Sequence, residues 1–322
     1  MNHSIKFFGI LLLITICACS LTPAKLPTES QTVKAKLEKD RIIVTIDGKP
    51  FTCYKFEASQ KYPYFWPVNG PVSGKSITTE TSQPWPHHHS LFFGCDRVNG
   101  GNYWQESNEH GQIVSQGPKL IKSSGSQIIF SDTCLWQKPG KKPIIFDRRH
   151  ITITAPNKNI RFIDFEISLK PLTDIRILKT NHALFSARVV PELSVQSGGT
   201  LINAEGKTGE KDTWGVESPW CDYSGIREGI KEGIAILQHP KNLWFPCRWF
   251  TRDYGFFSPT PMNWLEGDHL DLPKGQTLTL RYRVVVHTGD AKTAEIQKIF
   301  SEYTTVHTKL PGTTSTPGDF TP

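Results

Sequence analysis

Apolar and polar residues alternate with a period of two in short runs that continue from about residue 32 to residue 288. The segment IRFIDFEISLK at 160–170 is typical, because its apolar positions 163, 165, 167 and 169 alternate with polar positions 164, 166 and 168. Turn residues such as Asp47 and Gly48 separate the runs at intervals of roughly ten residues. This spacing of half-buried strands indicates an antiparallel sandwich or barrel.

One segment near the C-terminus follows a helical period instead. In DAKTAEIQKIFSEYTT at 290–305, apolar residues recur every three or four positions, and Asp290 stands where a helix N-cap belongs. We therefore predict an all-β fold, a large antiparallel β-sandwich with one C-terminal helix packed on a sheet. By analogy with sugar enzymes of similar pattern, we expect the sugar-mutarotase-like form of sandwich.

The first residues have the pattern of an export signal. Lys6 supplies a positive charge, residues 7–16 form a short apolar stretch, and Ala18 precedes Cys19 as in a bacterial lipobox. We expect a lipoprotein signal peptide at 1–18, a lipidated Cys19 with a flexible tether over 19–34, one β-sandwich domain over 35–306 and a disordered tail over 307–322. A plain secreted protein is the alternative.

Composition and charge limit the kinds of molecule that the protein is expected to bind. The 322 residues carry a formal charge of +7 without a polybasic block, so we expect no nucleic-acid partner and membrane contact only through the lipid. Five cysteines follow Cys19 without CxxC spacing, which argues against a zinc knuckle or a dense disulfide scaffold but leaves one or two bridges open. Nine Trp, eight Tyr and eighteen Phe are a heavy aromatic content, and such side chains line concave sites and stack on sugars.

Three aromatic-rich segments concentrate polar residues that can carry chemistry: PWPHHHSLFFGCDRVNGGNYW at 84–104, SPWCDYSG at 218–225 and LQHPKNLWFPCRWFTRDYGFFSP at 237–259. An imidazole can both accept and donate a proton near neutral pH, and a carboxylate or phenol can assist it. We therefore predict proton-transfer roles for His87, His88, Asp222 and Tyr254. Predicted substrate-binding residues are Arg188, Arg252, Asp253, His182, His239, Trp66, Trp104, Trp220 and Trp249, with Trp85 a further aromatic candidate.

Arginines at 188, 248 and 252 could hold a carboxylate or sulfate of the substrate. A metal site is the alternative use of the histidines. If the segment is extended, His87 and His89 face one side and His88 the other, so a metal would need distant partners such as His182, Asp222 or His239. We expect no cofactor, with a divalent metal as the competing possibility.

Six ordered segments resemble a bacterial exported-protein family labelled "methane oxygenase PmoA": YFWPVNGP, PWPHHHSLFFGCDRVNGGNYW, WCDYSG, GIAILQHPKN, RWFTRDYGFFSPTP and YRVVVHTGDA. The resemblance covers about residues 35–303. The family motif reads His-Pro-His-His-Arg-Gly, which His87 and His88 match, whereas Trp85, His89 and Ser90 depart from it. The label names a multi-pass membrane subunit, which the polar pattern after residue 19 does not predict.

Together these features predict an exported carbohydrate-active enzyme, a lyase or a hydrolase/epimerase, that uses histidine acid/base chemistry on a glycan. It would lie in the bacterial cell envelope, anchored by lipid to the outer membrane and facing the periplasm or the cell surface. A noncatalytic surface glycan-binding lipoprotein and a metal-dependent oxidoreductase are the alternatives. His89, which stands where the family has arginine, is the member of the triplet expected to be replaceable.

The lipid anchor gives a direct prediction. Replacing Cys19 by Ala removes the acceptor thiol, so the protein should move from the membrane fraction to the soluble fraction after cell fractionation. Cys17→Ala is the matched control and should stay in the membrane fraction, because bulky Ile16 precedes Cys17. Soluble wild-type protein would contradict the prediction.

Overall fold

A computed structural model describes residues 30–105 and 107–306 together with Met1. The expected signal peptide, Cys19, most of the tether and the tail over 307–322 lie outside these residues. Strands in chain order are β1 Val33–Leu37, β2 Arg41–Ile46, β3 Lys49–Lys55, β4 Tyr64–Val68, β5 Leu91–Val98, β6 Gly101–Tyr103, β7 Gln112–Ser115, β8 Lys119–Lys122, β9 Ser124–Gly125, β10 Gln127–Gln137, β11 Ile145–Asn157, β12 Ile160–Pro171, β13 Ile175–Leu178, β14 Ala183–Arg188, β15 Thr200–Asn203, β16 Trp220–Arg227, β17 Ile230–Gln238, β18 Trp249–Arg252, β19 Phe256–Pro259, β20 His269–Leu272 and β21 Leu278–Thr288.

The strands form two antiparallel sheets, which confirms the predicted all-β sandwich. The first sheet has the order β18-β19-β14-β5-β4-β3-β2-β1-β9, with β6, β13 and β20 joined at its side, and the second has the order β15-β16-β17-β21-β12-β11-β10-β7, with β8 on β10. Two helices, α1 Gly209–Thr213 and α2 Ile296–Val306, accompany them, and short 3₁₀ turns lie at Asn108–His110, Pro191–Leu193, Val195–Ser197 and Met262–Trp264.

Aromatic contacts show which face of the first sheet meets the second. Phe93 of β5 lies 6.3 Å from both Trp136 and Phe165, and Phe185 of β14 lies 5.0 Å from Phe165 and 4.9 Å from Tyr282, measured between ring centroids. Neighbouring residues of a strand point to opposite faces. The residues beside Phe93 and Phe185 therefore face away from the second sheet, on what we call the site face.

A polar network is buried between the two sheets. Arg149 donates through Nε and Nη2 to the two oxygens of Asp147 at 3.0 and 3.1 Å, and Trp136 Nε1 donates to Asp147 at 2.8 Å. Tyr54 donates its hydroxyl to Asp132 at 2.8 Å. Burial of charge is costly unless each charge is paired and hydrogen-bonded, and here Arg149 and Asp147 meet that condition.

The C-terminal helix packs on the outer face of the second sheet, as predicted, but it begins at Ile296 rather than after Asp290. Asp290 accepts hydrogen bonds from Thr293 N and Oγ1 at 2.9 and 2.8 Å and so stabilises the turn before the helix. Glu295 has a positive φ of 54°, which separates that turn from α2. The hairpin of β2 and β3 turns at Asp47-Gly48, as expected, with φ values of 47° and 78°.

Other expectations are refined. Strand β1 begins at Val33, inside the stretch assigned to the tether, and a turn at Glu38–Asp40 divides residues 33–46, which the pattern predicted as one strand, into β1 and β2. The cysteines at 53, 95, 134, 221 and 247 are all free thiols. Within residues 30–105 and 107–306, neither helix has the length and apolar character needed to cross a bilayer.

The buried ion pair gives a stability prediction. Asp147→Ala leaves Arg149 charged and unpaired between the sheets, so the free energy of unfolding should fall by about 3–5 kcal/mol in urea denaturation. Asp271→Ala is the control, because Asp271 pairs with Arg176 where both side chains are more than half exposed. That change should cost less than about 1 kcal/mol. Equal losses in the two variants would contradict the assignment.

Candidate functional site

The register of the first sheet places a row of side chains on the site face. Tyr64 of β4 pairs with Phe92 of β5, Phe92 pairs with Ser186 of β14, and Arg188 at the end of β14 pairs with Phe256 of β19. Directly paired residues of an antiparallel ladder point to the same face. Because Phe92 and Ser186 each stand next to a core phenylalanine, this row faces away from the second sheet.

The histidine triplet lies in a turn that covers this row. His88 N donates to Trp85 O at 3.2 Å and Ser90 N donates to His88 O at 3.3 Å, and Ser90 has a φ of 56°. The turn brings the rings of His87 and His88 to 4.5 Å between centroids. The segment is therefore not extended, so the alternation expected for an extended segment, with His87 and His89 on one side and His88 on the other, does not apply.

His89 lies apart from the other two histidines. Its ring stacks on Tyr64 at 5.0 Å, and its Nδ1 is 2.8 Å from the carbonyl oxygen of Glu80. Glu80 also accepts hydrogen bonds from Lys55 Nζ and from the hydroxyl of Tyr64. His89 thus belongs to a neighbouring, internally paired cluster.

His88 is buried at the centre of the site. Its ring stacks on Phe256 at 4.3 Å and lies nearly parallel to Tyr254 at 6.4 Å, with an angle of 16° between the planes. Trp104 lies behind it, edge-on at 6.5 Å. Distant segments of the chain, at 88, 104 and 254–256, therefore meet here, as the sequence predicted for His88 and Tyr254.

A second imidazole stands beside His87. His182 lies 6.2 Å from His87 and stacks on Trp104 at 5.8 Å. Its Nδ1 is 3.1 Å from Oδ2 of Asp96, a carboxylate with only 7% of its side chain exposed, whereas the His182 side chain is 28% exposed. A carboxylate at this position fixes the orientation of the ring, the arrangement that acid/base histidines use.

The predicted arginines divide into one that is free and two that are engaged. The Arg188 guanidinium lies 4.2 Å from the centroid of the Tyr254 ring, and no described residue accepts a hydrogen bond from it. Arg252 donates to Glu210 at 2.8 Å, and Arg248 is 3.6 Å from a carboxylate oxygen of Glu217. Asp253 accepts a hydrogen bond from Glu210 N at 2.7 Å and so fixes α1 rather than the site.

Burial dominates the electrostatics. It lowers the pKa of His88 to about 2 and the pKa of His87 to about 4, and neighbouring imidazoles and, for His88, the charge of Arg188 act in the same direction. Burial raises the pKa of the Tyr254 phenol, against the opposing effect of Arg188 and Arg252. At neutral pH His87 and His88 are therefore neutral and Tyr254 keeps its proton.

Several buried polar atoms around the site have no hydrogen-bond partner among the described residues. They are His87 Nε2, His88 Nδ1, Asp96 Oδ1, Trp104 Nε1, Ser186 Oγ, and Nε and Nη1 of Arg188. Buried polar groups are normally satisfied, and each unpaired one costs about 1–3 kcal/mol. Their concentration on one face is the property expected of groups that a ligand satisfies.

Besides Asp253, four predicted site residues are not at the site. Asp222 lies on the outer face of the second sheet, where its Oδ2 is 2.6 Å from Nε2 of His287, and both side chains are fully buried. It belongs to the same face as Trp220, which donates to Gln297 of α2 at 2.9 Å. Asp222 and Trp220 are therefore separated from the histidines by both sheets.

The other two corrections concern His239 and Trp249. His239 is buried with its ring 5.2 Å from Tyr303 of α2, again on the second sheet. Trp249 is fully buried, and its Nε1 donates to Ser218 O at 2.7 Å. A sugar cannot stack on a ring that is already enclosed in the core, so Trp249 is a packing residue.

The remaining aromatic candidates have different positions. Trp104 is buried behind His88 and His182, whereas Trp66 is partly exposed beside Lys55, whose Nζ is 5.3 Å from the ring centroid. Trp85 is 44% exposed and lies 6.0 Å from His87, so it is the tryptophan whose position suits stacking on a ligand at the histidines. Asp96 was not predicted, although it stands in the same motif, four positions after Phe92.

Metal ligation was the competing use of the histidines. Among residues 30–105 and 107–306, no three His, Cys, Asp or Glu side chains are grouped so that they could hold one metal ion. The His87 and His182 rings meet edge to face, with an angle of 81° between their planes and 6.2 Å between their centroids. The described donors therefore do not form a ready ligand set.

Comparison with known families shows the family to which the chain belongs. Residues 41–301 match the family described as "Family of unknown function (DUF6807)", a description that carries neither the methane oxygenase label nor an activity. No curated protein is significantly similar to the chain in sequence.

Solved structures are similar at low identity. The galactose 1-epimerase from Lactobacillus acidophilus NCFM aligns over 82% of this chain and 99% of its own, with 10% identity and a TM-score of 0.39. A galactose mutarotase related enzyme from Lactobacillus acidophilus aligns over 79% and 97%, with 8% identity and a TM-score of 0.35. The α-galactosidase from Lactobacillus brevis aligns over 80% of this chain but 39% of its own, with 8% identity and a TM-score of 0.36.

The lowered pKa values predict a pH dependence of stability. Between pH 6.5 and the lowered pKa values, the unfolded chain binds more protons than the folded protein, so the free energy of unfolding should fall as the pH is reduced from 6.5 toward 4. His88→Phe keeps a ring against Phe256 but removes one such group. Between pH 6.5 and 4.5 the variant should lose about 2 kcal/mol less than wild type in urea denaturation. The same slope in both proteins would refute the burial of a neutral His88.

Proposed function

The chain belongs to the family of unknown function DUF6807, and we propose that it is an exported carbohydrate-active enzyme that moves a proton at the site formed by His87, His88 and His182. The observation that carries this proposal is the group of unpartnered buried polar atoms contributed by His87, His88, Asp96, Trp104 and Arg188 on one face of one sheet. Such a convergence of buried polar groups with perturbed pKa values among aromatic side chains is a usual feature of an active site.

A sugar suits this site for two reasons. The unpartnered nitrogens and oxygens around His87, His88 and Arg188 supply donors and acceptors, which sugar hydroxyl groups can satisfy. The exposed Trp85 ring beside His87 supplies an apolar face for the C–H surface of a sugar ring. A purely apolar ligand would leave the polar atoms unsatisfied.

The chemistry is divided between histidine and tyrosine. One of two bases, the neutral His87 or His182 held by Asp96 at 3.1 Å, accepts a proton from the substrate. The phenol of Tyr254 donates a proton to a substrate oxygen that acquires negative charge. Both groups return to their starting state by exchange with water. The reaction is then a proton-transfer step of the kind that a lyase, a hydrolase or an epimerase performs.

The second candidate is a noncatalytic glycan-binding lipoprotein. It is favoured by the low pKa of His88, about 2, because a base performs best when its pKa lies near the working pH. In that case the same site would bind a sugar without turnover. In either case we propose export and anchoring through lipid on Cys19, with no nucleic-acid partner.

Turnover separates the two candidates. With a substrate found by screening acidic and neutral glycans for released or epimerised sugar, His87→Ala and His182→Ala should each lower kcat by about 10²–10⁴. His150→Ala is the matched control, because His150 is exposed on β11 of the second sheet, and it should leave kcat unchanged.

The contrary outcomes are distinct. Full turnover in both His87→Ala and His182→Ala, with thermal melting showing a normal fold, would refute the acid/base role. Sugar binding that is lost in these variants, without turnover by the wild type on any glycan, would establish the binding protein instead.

A further inference from the structure

The protein buries three arginines that differ in how their charge is compensated. Arg149 is 1% exposed and pairs with both oxygens of Asp147. Arg161 is 4% exposed and donates to the carbonyl oxygens of Asn69 and Gly70. Arg188 is 2% exposed, yet no described group accepts a hydrogen bond from its guanidinium.

Stacking on Tyr254 does not replace those hydrogen bonds. The ring centroid lies 4.2 Å from the guanidinium carbon, yet Nε and Nη1 of Arg188 have no hydrogen-bond partner among the described residues. A cation–π contact is worth about 0.5–2 kcal/mol, whereas leaving a charge buried without an ionic partner costs several kcal/mol. The folded protein therefore contains a cation whose partner is missing.

The carboxylates around the site do not supply that partner. Asp96 is engaged with His182, Glu210 with Arg252, and Glu80 with Lys55. None of them forms an ion pair with Arg188; burial lowers the pKa of its guanidinium, and the phenols of Tyr254 and Tyr223 act in the opposite direction. Arg188 is thus the one free cation among these site residues.

We propose that the ligand carries a carboxylate that binds the N–H edge of Arg188, so that the substrate is an acidic sugar of the uronic acid class. A carboxylate matches the planar guanidinium with paired hydrogen bonds, which favours it over a neutral hydroxyl. Since Arg188 is almost inaccessible to water, the bound carboxylate would also be desolvated, which strengthens the charge interaction. The half-buried ring of Tyr254 is the side chain past which the carboxylate would enter.

Binding of this carboxylate would also change His88. The positive charge of Arg188 contributes to holding the pKa of His88 down, and a bound carboxylate would offset that charge. His88 would then become a better proton acceptor only when the acidic substrate is present. The identification of the sugar rests on the proposed function, whereas the anion site rests on Arg188 alone.

Ligand-dependent thermal melting tests this inference. The probes are galacturonate and glucuronate, their neutral counterparts galactose and glucose, galactose 6-sulfate, and acetate, with each sugar also as a short oligosaccharide. Wild-type protein should gain about 5 °C in Tm with a uronate at about 100 times Kd, and no comparable gain with the neutral sugars.

Two variants of Arg188 and one control define the site. Arg188→Met keeps an apolar side chain against Tyr254 and should weaken uronate binding by at least about 30-fold, and Arg188→Lys should restore part of it. Without ligand, Arg188→Met should melt no lower than wild type, because it removes an uncompensated charge. Arg248→Met is the control, since Arg248 is exposed beside Glu217, and it should bind as wild type does.

Each other outcome overturns a stated part. Equal shifts with neutral and acidic sugars would refute the carboxylate site while leaving a glycan enzyme intact. Equal shifts with acetate and uronate, lost in Arg188→Met, would uphold the anion site but refute the sugar substrate. A shift with the sulfated sugar alone would refute the carboxylate assignment, and no shift with any probe would refute the inference altogether.

Discussion

The antiparallel ladder that joins β4, β5, β14 and β19 determines which side chains can form the site. Phe93 and Phe185 are large, fully buried and packed against rings of the second sheet, so the register of these strands cannot slip by one residue without exposing them. Once these rings are fixed, Phe92, Ser186 and Arg188 must face outward. The packing of the core therefore places an arginine on the outer face, and the chemistry of the site follows from an interaction on the opposite side of the sheet.

The two outer faces of the sandwich are covered in different ways. On the second sheet, α2 lies over an apolar surface, and Trp220 pairs with Gln297 and Asp222 Oδ2 with His287, although Asp222 Oδ1 and Ser224 Oγ have no hydrogen-bond partner among the described residues. On the first sheet, the histidine turn and Trp104 lie over the row, and polar atoms of His87, His88, Asp96, Trp104, Ser186 and Arg188 have no such partner. The turns over the first sheet therefore leave these polar atoms next to one another, where one ligand can contact several of them.

The sequence predicts the strands and the helix well, because alternation and the helical stripe are local patterns that survive in the structure. It also predicts the meeting of His88 with Tyr254, since both belong to aromatic-rich loops. It fails for Asp222 and Trp220 because residues 220–225 are all buried, so alternation shows no contrast between the two faces of β16. Which face of such a strand meets the other sheet is decided by tertiary packing, and no periodicity in the segment reveals it. Asp96 was missed for the same reason, since all but one residue of β5 are buried.

Desolvation links the two unusual features of the site. The same burial that keeps His87 and His88 neutral also leaves the charge of Arg188 without water. The charge of Arg188 requires a nearby anion, whereas the low pKa of His88 requires that no anion lies there. A protein anion placed beside Arg188 would compensate its charge but would also raise the pKa of His88 permanently, because the charge of Arg188 helps to hold that pKa down. If the anion arrives with the ligand, the charge of Arg188 is compensated and His88 gains basicity only when substrate is bound. One bound carboxylate would therefore do two things at once: it would compensate the charge of Arg188 and raise the pKa of His88.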